Sequence, residues 1–238
     1  MGKKKREKYF EVSGGVSAWL TGALWVSLVA LVLDHWASCF GPTGGGYGGM
    51  VGRWASELMY SGFGGGLVRL LGGVATVLML EWLRRSVRRA GSQAWTLVAL
   101  WEVLVGSAAV VAAIPGSDPL YAYAHVPTVW DTFRETFLQN ERVVSGCVQL
   151  AVAVMAMVRF GGRVFLYGLS LVACPLVSAA LMAALMPLWE RGGGVGTTLA
   201  LGWQSFDLLM DAIPLVLLRL SMRARVIVGE AEGDSDVR

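Results

Sequence analysis

Apolar residues run along this chain in six blocks: Val16–Leu33, Gly64–Leu83, Ala94–Ile114, Val143–Phe160, Val164–Pro187 and Thr197–Leu218. A helix needs about 20 mostly apolar residues to cross the hydrocarbon core, and each block is about that long. The pattern predicts an all-α, polytopic membrane helix bundle of six spans. A tail, 1–15, precedes a transmembrane domain at 16–220. Residues 221–238 form a second tail, whose last part, Gly229–Arg238, is polar and acidic and predicts disorder.

Basic residues fall at every second junction. Lys3, Lys4, Lys5, Arg6 and Lys8 precede the first block. Arg84, Arg85, Arg88 and Arg89 follow the second, Arg159 and Arg163 divide the fourth from the fifth, and Arg219, Arg223, Arg225 and Arg238 follow the sixth. The opposite side carries only Arg53, Arg69, Arg134, Arg142 and Arg191. This bias, about three to one, directs both termini to the cytoplasm. An even number of spans requires the same thing, so count and charge agree.

Composition narrows the class. Of 238 residues 55% are hydrophobic and 16% charged, too apolar for an average soluble domain. The lipid bilayer is the first partner. The net charge of +3 sits at helix ends, where it anchors and orients rather than binding nucleic acid. Cys39, Cys147 and Cys174 have no CxxC spacing, so neither a disulfide framework nor a zinc motif is expected. His35 and His125 are the only histidines, which excludes a multi-haem bundle of the bis-histidine kind. No cofactor is expected. The Met1-Gly2 start lacks the Ser or Thr at position 6 of a myristoylation signal. Asp34-His35-Trp36 interrupts any clean signal-peptide cleavage site, and the first block is kept as a span.

The junctions predict smaller features. Gly44–Gly49 is a glycine-rich linker without the spacing of a phosphate loop. Trp54–Tyr60 predicts a short interfacial helix. Val129–Asn140 sets Val129, Trp130, Phe133, Phe137 and Leu138 at helical spacing, which predicts an amphipathic helix lying at the outer interface or a cap packed on the bundle. Gly161-Gly162-Arg163 is so short that the fourth and fifth spans form either a hairpin or one bent helix.

Ionisable side chains inside a membrane are costly, so each is a functional candidate. Glu81 lies near the inner end of its span and reads as an interfacial salt-bridge residue. Glu102, near the middle of the third span, must pair with Arg or line a wet cavity. Arg159 and Arg163 are inner-face anchors or a weak voltage sensor. The sixth block is the most unusual. Gln204, Asp207 and Asp211 share one helical face by their i, i+3, i+7 spacing. Two ionised carboxylates on one face repel unless they are solvated, bind a cation, or share a proton. They are the candidates for an ion path, or else for a face that packs against another subunit or pairs with Arg residues. A catalytic pair would fit the spacing, but no nucleophile and no metal-ligating histidine stands near them in sequence, so neither an enzyme nor a metal site is expected.

The order of parts resembles the transmembrane region of polycystin-type channels, within the transient-receptor-potential-like group. The resemblance rests on Val74–Leu83 followed by Arg84–Arg89 and Trp95, on Leu100-Trp101-Glu102-Val103-Leu104, on the exit Met157-Val158-Arg159-Phe160, and on Phe206–Ile213. It covers Gly64–Ile213. It implies that the sixth block is a re-entrant pore helix running into an acidic filter, with Asp211 as the filter acid. Only a glycine-rich loop stands where that family has a large folded domain, and no further spanning block follows Ile213. The expected function is a cation channel-like subunit for monovalent or divalent cations, in a homo- or hetero-oligomer. The alternative is a non-catalytic structural or accessory subunit of a larger membrane complex.

Overall fold

A computed structural model of the chain describes residues 8–40, 49–116, 128–189 and 194–224. These residues form an all-α bundle in the order β1 (Phe10–Val12), α1 (Gly14–Phe40), α2 (Gly49–Tyr60), α3 (Gly62–Arg89), α4 (Trp95–Ala113), α5 (Val129–Arg159), α6 (Gly162–Trp189), α7 (Gly194–Leu220) and β2 (Met222–Ala224). The calls on Gly44–Gly48 and on Gly229–Arg238 lie outside the described residues.

Local chemistry sets the helix ends. Ser61 caps α3 by accepting from the Gly64 N–H, and Thr128 opens α5 with a reciprocal capping box to Asp131. Arg88 and Arg89 close the last turn of α3, where cations complement the helix dipole. Between α5 and α6, Phe160 is extended and Gly162 takes φ +54, a left-handed geometry that favours glycine. The junction is therefore a hairpin rather than a bend. A side chain at Gly162 would also press on Lys8, 2.8 Å from where its Cβ would stand.

The six long helices form a closed ring. Each packs on its neighbours in sequence, and α7 closes on α1, while the short α2 lies across α1 and α3. The ring is tied at the end that carries β1 and β2, here the proximal end. β1 and β2 pair in parallel with Phe10 opposite Met222. Phe10 is buried edge-on against Phe160, with ring centroids 5.2 Å apart. Arg163 N–H donates to the Lys8 carbonyl at 3.0 Å. The two paired strands place Phe10–Val12 and Met222–Ala224 together at one end of the ring.

Packing is uneven along the ring. The proximal half is filled by a core that includes Leu83, Val98, Trp101, Val152 and Tyr167. Between α5 and α6 the buried positions stop at Val148 and Cys174, and the Gln149 amide donates to the Leu171 carbonyl at 3.2 Å near that level. Toward the far, distal end every described side chain of these two helices is half-buried or exposed. The α1–α3–α4 wall stays tight farther out because small residues face each other. The position of a Cβ on Gly66 is taken by the Ala113 carbonyl, and that on Gly73 by Ala109.

Five helices, α1 and α3 to α6, are long and apolar enough to cross a membrane. Three sequence expectations change. First, the amphipathic segment Val129–Asn140 does not lie apart as an interfacial helix. It runs on into the fourth span as one 31-residue helix, because nothing between Asn140 and Val143 breaks helical geometry. Second, the helix of the sixth block does not stop at Ile213. It is one unbroken 27-residue helix, about 40 Å long at 1.5 Å per residue. Pro214 lies inside it and removes a single backbone donor, a loss that membrane helices tolerate when neighbours support them. Third, the tails are structured where they meet, at β1 and β2.

Candidate functional site

The seam where α7 meets α1 and α6 gathers four polar residues of the distal half, His35, Ser178, Asp207 and Asp211. Asp207 sits at the midpoint of α7, and Asp211 follows one turn later on the same face. From α1, His35 turns its Nε2 toward both. The separations are 3.7 Å to Asp207 Oδ2 and 3.6 Å to Asp211 Oδ2. From α6, the Ser178 hydroxyl donates to Asp207 Oδ1 at 2.5 Å. The first helix and the last two thus converge on two carboxylates.

The ring of His35 is held from behind. Its Nδ1 lies 3.1 Å from the Leu31 carbonyl on its own helix. A carbonyl oxygen only accepts, so Nδ1 carries the proton in that contact. In the neutral ring Nε2 is then a bare lone pair aimed at two acceptor carboxylates. Such an arrangement is repulsive until a proton or a cation occupies the space between them. His35 is largely enclosed, with 13% of its side chain exposed, whereas Asp211 is 56% exposed. The site is anchored on the α1 side and open on the Asp211 side. Among the described residues no Lys or Arg forms an ion pair with either aspartate.

The other predicted residues lie elsewhere. Gln204 is half-buried a turn before Asp207, on the same side of α7. Glu81 and Glu102 form a separate cluster on the α3–α4 seam in the proximal half. Arg84 Nε donates to Glu81 Oε2 at 2.6 Å and lies 3.3 Å from Glu102 Oε2, while Arg85 Nε takes Glu81 Oε1 at 2.5 Å. Glu102 Oε1 is buried without a hydrogen-bond partner. Arg159 donates to the Gly91 carbonyl at 3.1 Å and Arg163 to the Leu220 carbonyl at 3.3 Å. Both therefore staple junctions at the proximal end.

Sequence reasoning missed His35 and Ser178. His35 ends the first apolar block beside Asp34, and an ionisable pair at a span edge was the available signal. Ser178 carried none, because a serine in an apolar helix is ordinary. Asp34 itself belongs to the next seam, where Arg69 Nε lies 3.3 Å from its Oδ1.

No family model, no curated protein and no solved structure matches this chain.

Proposed function

We propose that this integral membrane protein handles cations as a channel-like subunit, with Asp207 and Asp211 receiving the ion and His35 completing its surroundings. The observation that carries this reading is the convergence of two carboxylates and one imidazole nitrogen within 4.8 Å of one another, on helices that are otherwise apolar. Carboxylates at such depth are tolerated when they face a wet cavity or a cation, and rings of acids are how cation paths attract ions and replace their water. The basic proximal end, with Lys8, Arg159, Arg163 and Arg223, fits the cytoplasmic face. Ions then enter from the opposite side, through the loosely packed distal half.

A second reading is favoured by one observation. The proximal half of a single chain is filled by its core, so a continuous route needs either helix movement or a further subunit. A structural or accessory subunit of a larger assembly accounts for that packing without conduction.

Reconstitution separates the two. Purified protein in liposomes is expected to carry a cation flux that falls at least tenfold in Asp207→Asn/Asp211→Asn. Absence of flux for every alkali and divalent cation tried, together with stable co-purification of other membrane subunits, overturns the first reading in favour of the second.

A further inference from the structure

We infer that His35, Asp207 and Asp211 form a binding site for a divalent first-row transition metal ion of the zinc type. This deepens the cation-handling reading and rests on the same side chains. Donor spacing is the first argument. A metal about 2.1 Å from each ligand in tetrahedral geometry needs ligand atoms about 3.4 Å apart. The imidazole nitrogen stands 3.7 Å and 3.6 Å from the two carboxylate oxygens, within a small side-chain adjustment of that value, and all three donor atoms lie within 4.8 Å of one another.

Ligand type is the second. An alkali ion, Ca²⁺ or Mg²⁺ is served by oxygen alone, whereas an imidazole nitrogen facing two carboxylates suits Zn²⁺, Co²⁺ and their neighbours. Charge supports the same class. Two carboxylates and a neutral imidazole sum to minus two, which one divalent ion cancels in a setting where uncompensated charge is costly.

Preorganisation is the third. Histidine ligands of metals commonly donate their other ring N–H to a backbone carbonyl or a carboxylate, and ligating carboxylates are themselves hydrogen-bonded. Here His35 Nδ1 meets the Leu31 carbonyl, and Asp207 Oδ1 receives the Ser178 hydroxyl. Each contact leaves the opposite atom, His35 Nε2 or Asp207 Oδ2, directed at the shared space. With three protein ligands the fourth position lies on the exposed Asp211 side. That makes the site exchangeable, unlike a closed four-ligand structural centre.

The test is metal binding by the purified full-length protein in lipid nanodiscs. Co²⁺ titration followed by visible absorption, and Zn²⁺ titration against a chromophoric chelator, are expected to give one ion per chain. His35→Gln and Asp211→Asn each lower Zn²⁺ affinity at least 100-fold. Ser178→Ala, a mild change that leaves all three ligands, lowers it about 10-fold. Asp34→Asn, beside the site but paired to Arg69, leaves it unchanged. The inference is overturned if wild type binds Zn²⁺ no more tightly than His35→Gln, or if Ca²⁺ or Na⁺ competes with Co²⁺ on equal terms. Liposome flux separates this from the broader reading. Tight Zn²⁺ binding without flux leaves the metal site and removes the channel-like role. Flux of monovalent ions in protein that binds no Zn²⁺ does the reverse.

Discussion

Arg219, in the last turn of α7, donates to the Ser17 hydroxyl in the first turn of α1 at 2.6 Å. The same guanidinium also reaches the Ser17 carbonyl at 3.0 Å, Thr21 Oγ1 at 3.0 Å and the Met222 carbonyl at 2.8 Å. It therefore ties α7 to α1 and both to the strand that pairs with β1. The antiparallel register that it fixes brings His35, near the far end of α1, alongside the middle of α7. The candidate site is thus a consequence of how the ring closes.

Removing that tie is expected to open the ring from its proximal end. Hydrogen bonds to a charged group contribute about 1.5–3 kcal/mol each, less than additively when they share a donor. Arg219→Ala is expected to lose about 3 kcal/mol, read as a lower thermal midpoint of the detergent-solubilised protein. Arg219→Lys recovers part of it, because an ammonium restores the charge but not the forked geometry. Equal melting of Arg219→Ala and wild type would show that α1 and α7 are held by apolar packing alone.

Arg84 supplies the second prediction. It is the cation that Glu81 and Glu102 share, and only 14% of the Glu102 side chain is exposed. Arg84→Met strands a buried carboxylate and is expected to cost about 3 kcal/mol or more. Glu102→Gln removes the charge and costs less. Arg84→Met/Glu102→Gln is then expected to be more stable than Arg84→Met alone. A double variant that melts below both single variants would show that Glu102 does not depend on Arg84. Thermal unfolding of the four proteins completes the cycle.

Much of this architecture was legible because it follows from runs and helical spacing. The apolar blocks located α1, α3, α4 and α6, and the helical spacing that begins at Val129 located the start of α5. The extension of α5 through Asn140–Val143 was not, since a change from amphipathic to wholly apolar pattern looks like a boundary although no residue there stops a helix. β1 and β2 were also hidden, because three-residue strands carry no periodicity and pair only through ring closure. At the site, the spacing of Gln204, Asp207 and Asp211 was visible, since it is local to one helix. His35 was not, because its partners lie on α7, and only the contact between the first and last helices brings them together.

Small residues in the α3 wall give a third prediction. A Cβ at Gly66 would run into the backbone carbonyl of Ala113, which cannot swing away as a side chain can, whereas a Cβ at Gly146 meets nothing within 4 Å. Gly66→Ala is therefore expected to reduce the yield of monodisperse protein sharply. Gly146→Ala, in the interior of α5, is expected to be neutral or stabilising by up to about 1 kcal/mol. Size-exclusion profiles and melting curves of the two variants check the contrast. Equal behaviour would mean that α3 and α4 are less closely apposed than the fold requires.

The last prediction concerns whether α7 crosses the bilayer. It lies along α1 from the Arg219–Ser17 contact to the level of His35, and α1 is long and apolar enough to span. A helix that shares the length of a spanning partner has its two ends on opposite sides. Single cysteines placed by Lys8→Cys, Ala224→Cys and Thr197→Cys, in a background without the native cysteines, report this with a membrane-impermeant thiol reagent. Lys8→Cys and Ala224→Cys are expected to label from one face only and together, because β1 and β2 are paired there. Thr197→Cys is expected to label from the other face. If all three label from the same face, α7 re-enters instead of crossing. Asp207 and Asp211 would then sit where a re-entrant segment turns, and their meeting with His35 would have to be rebuilt on a different register of α1 and α7.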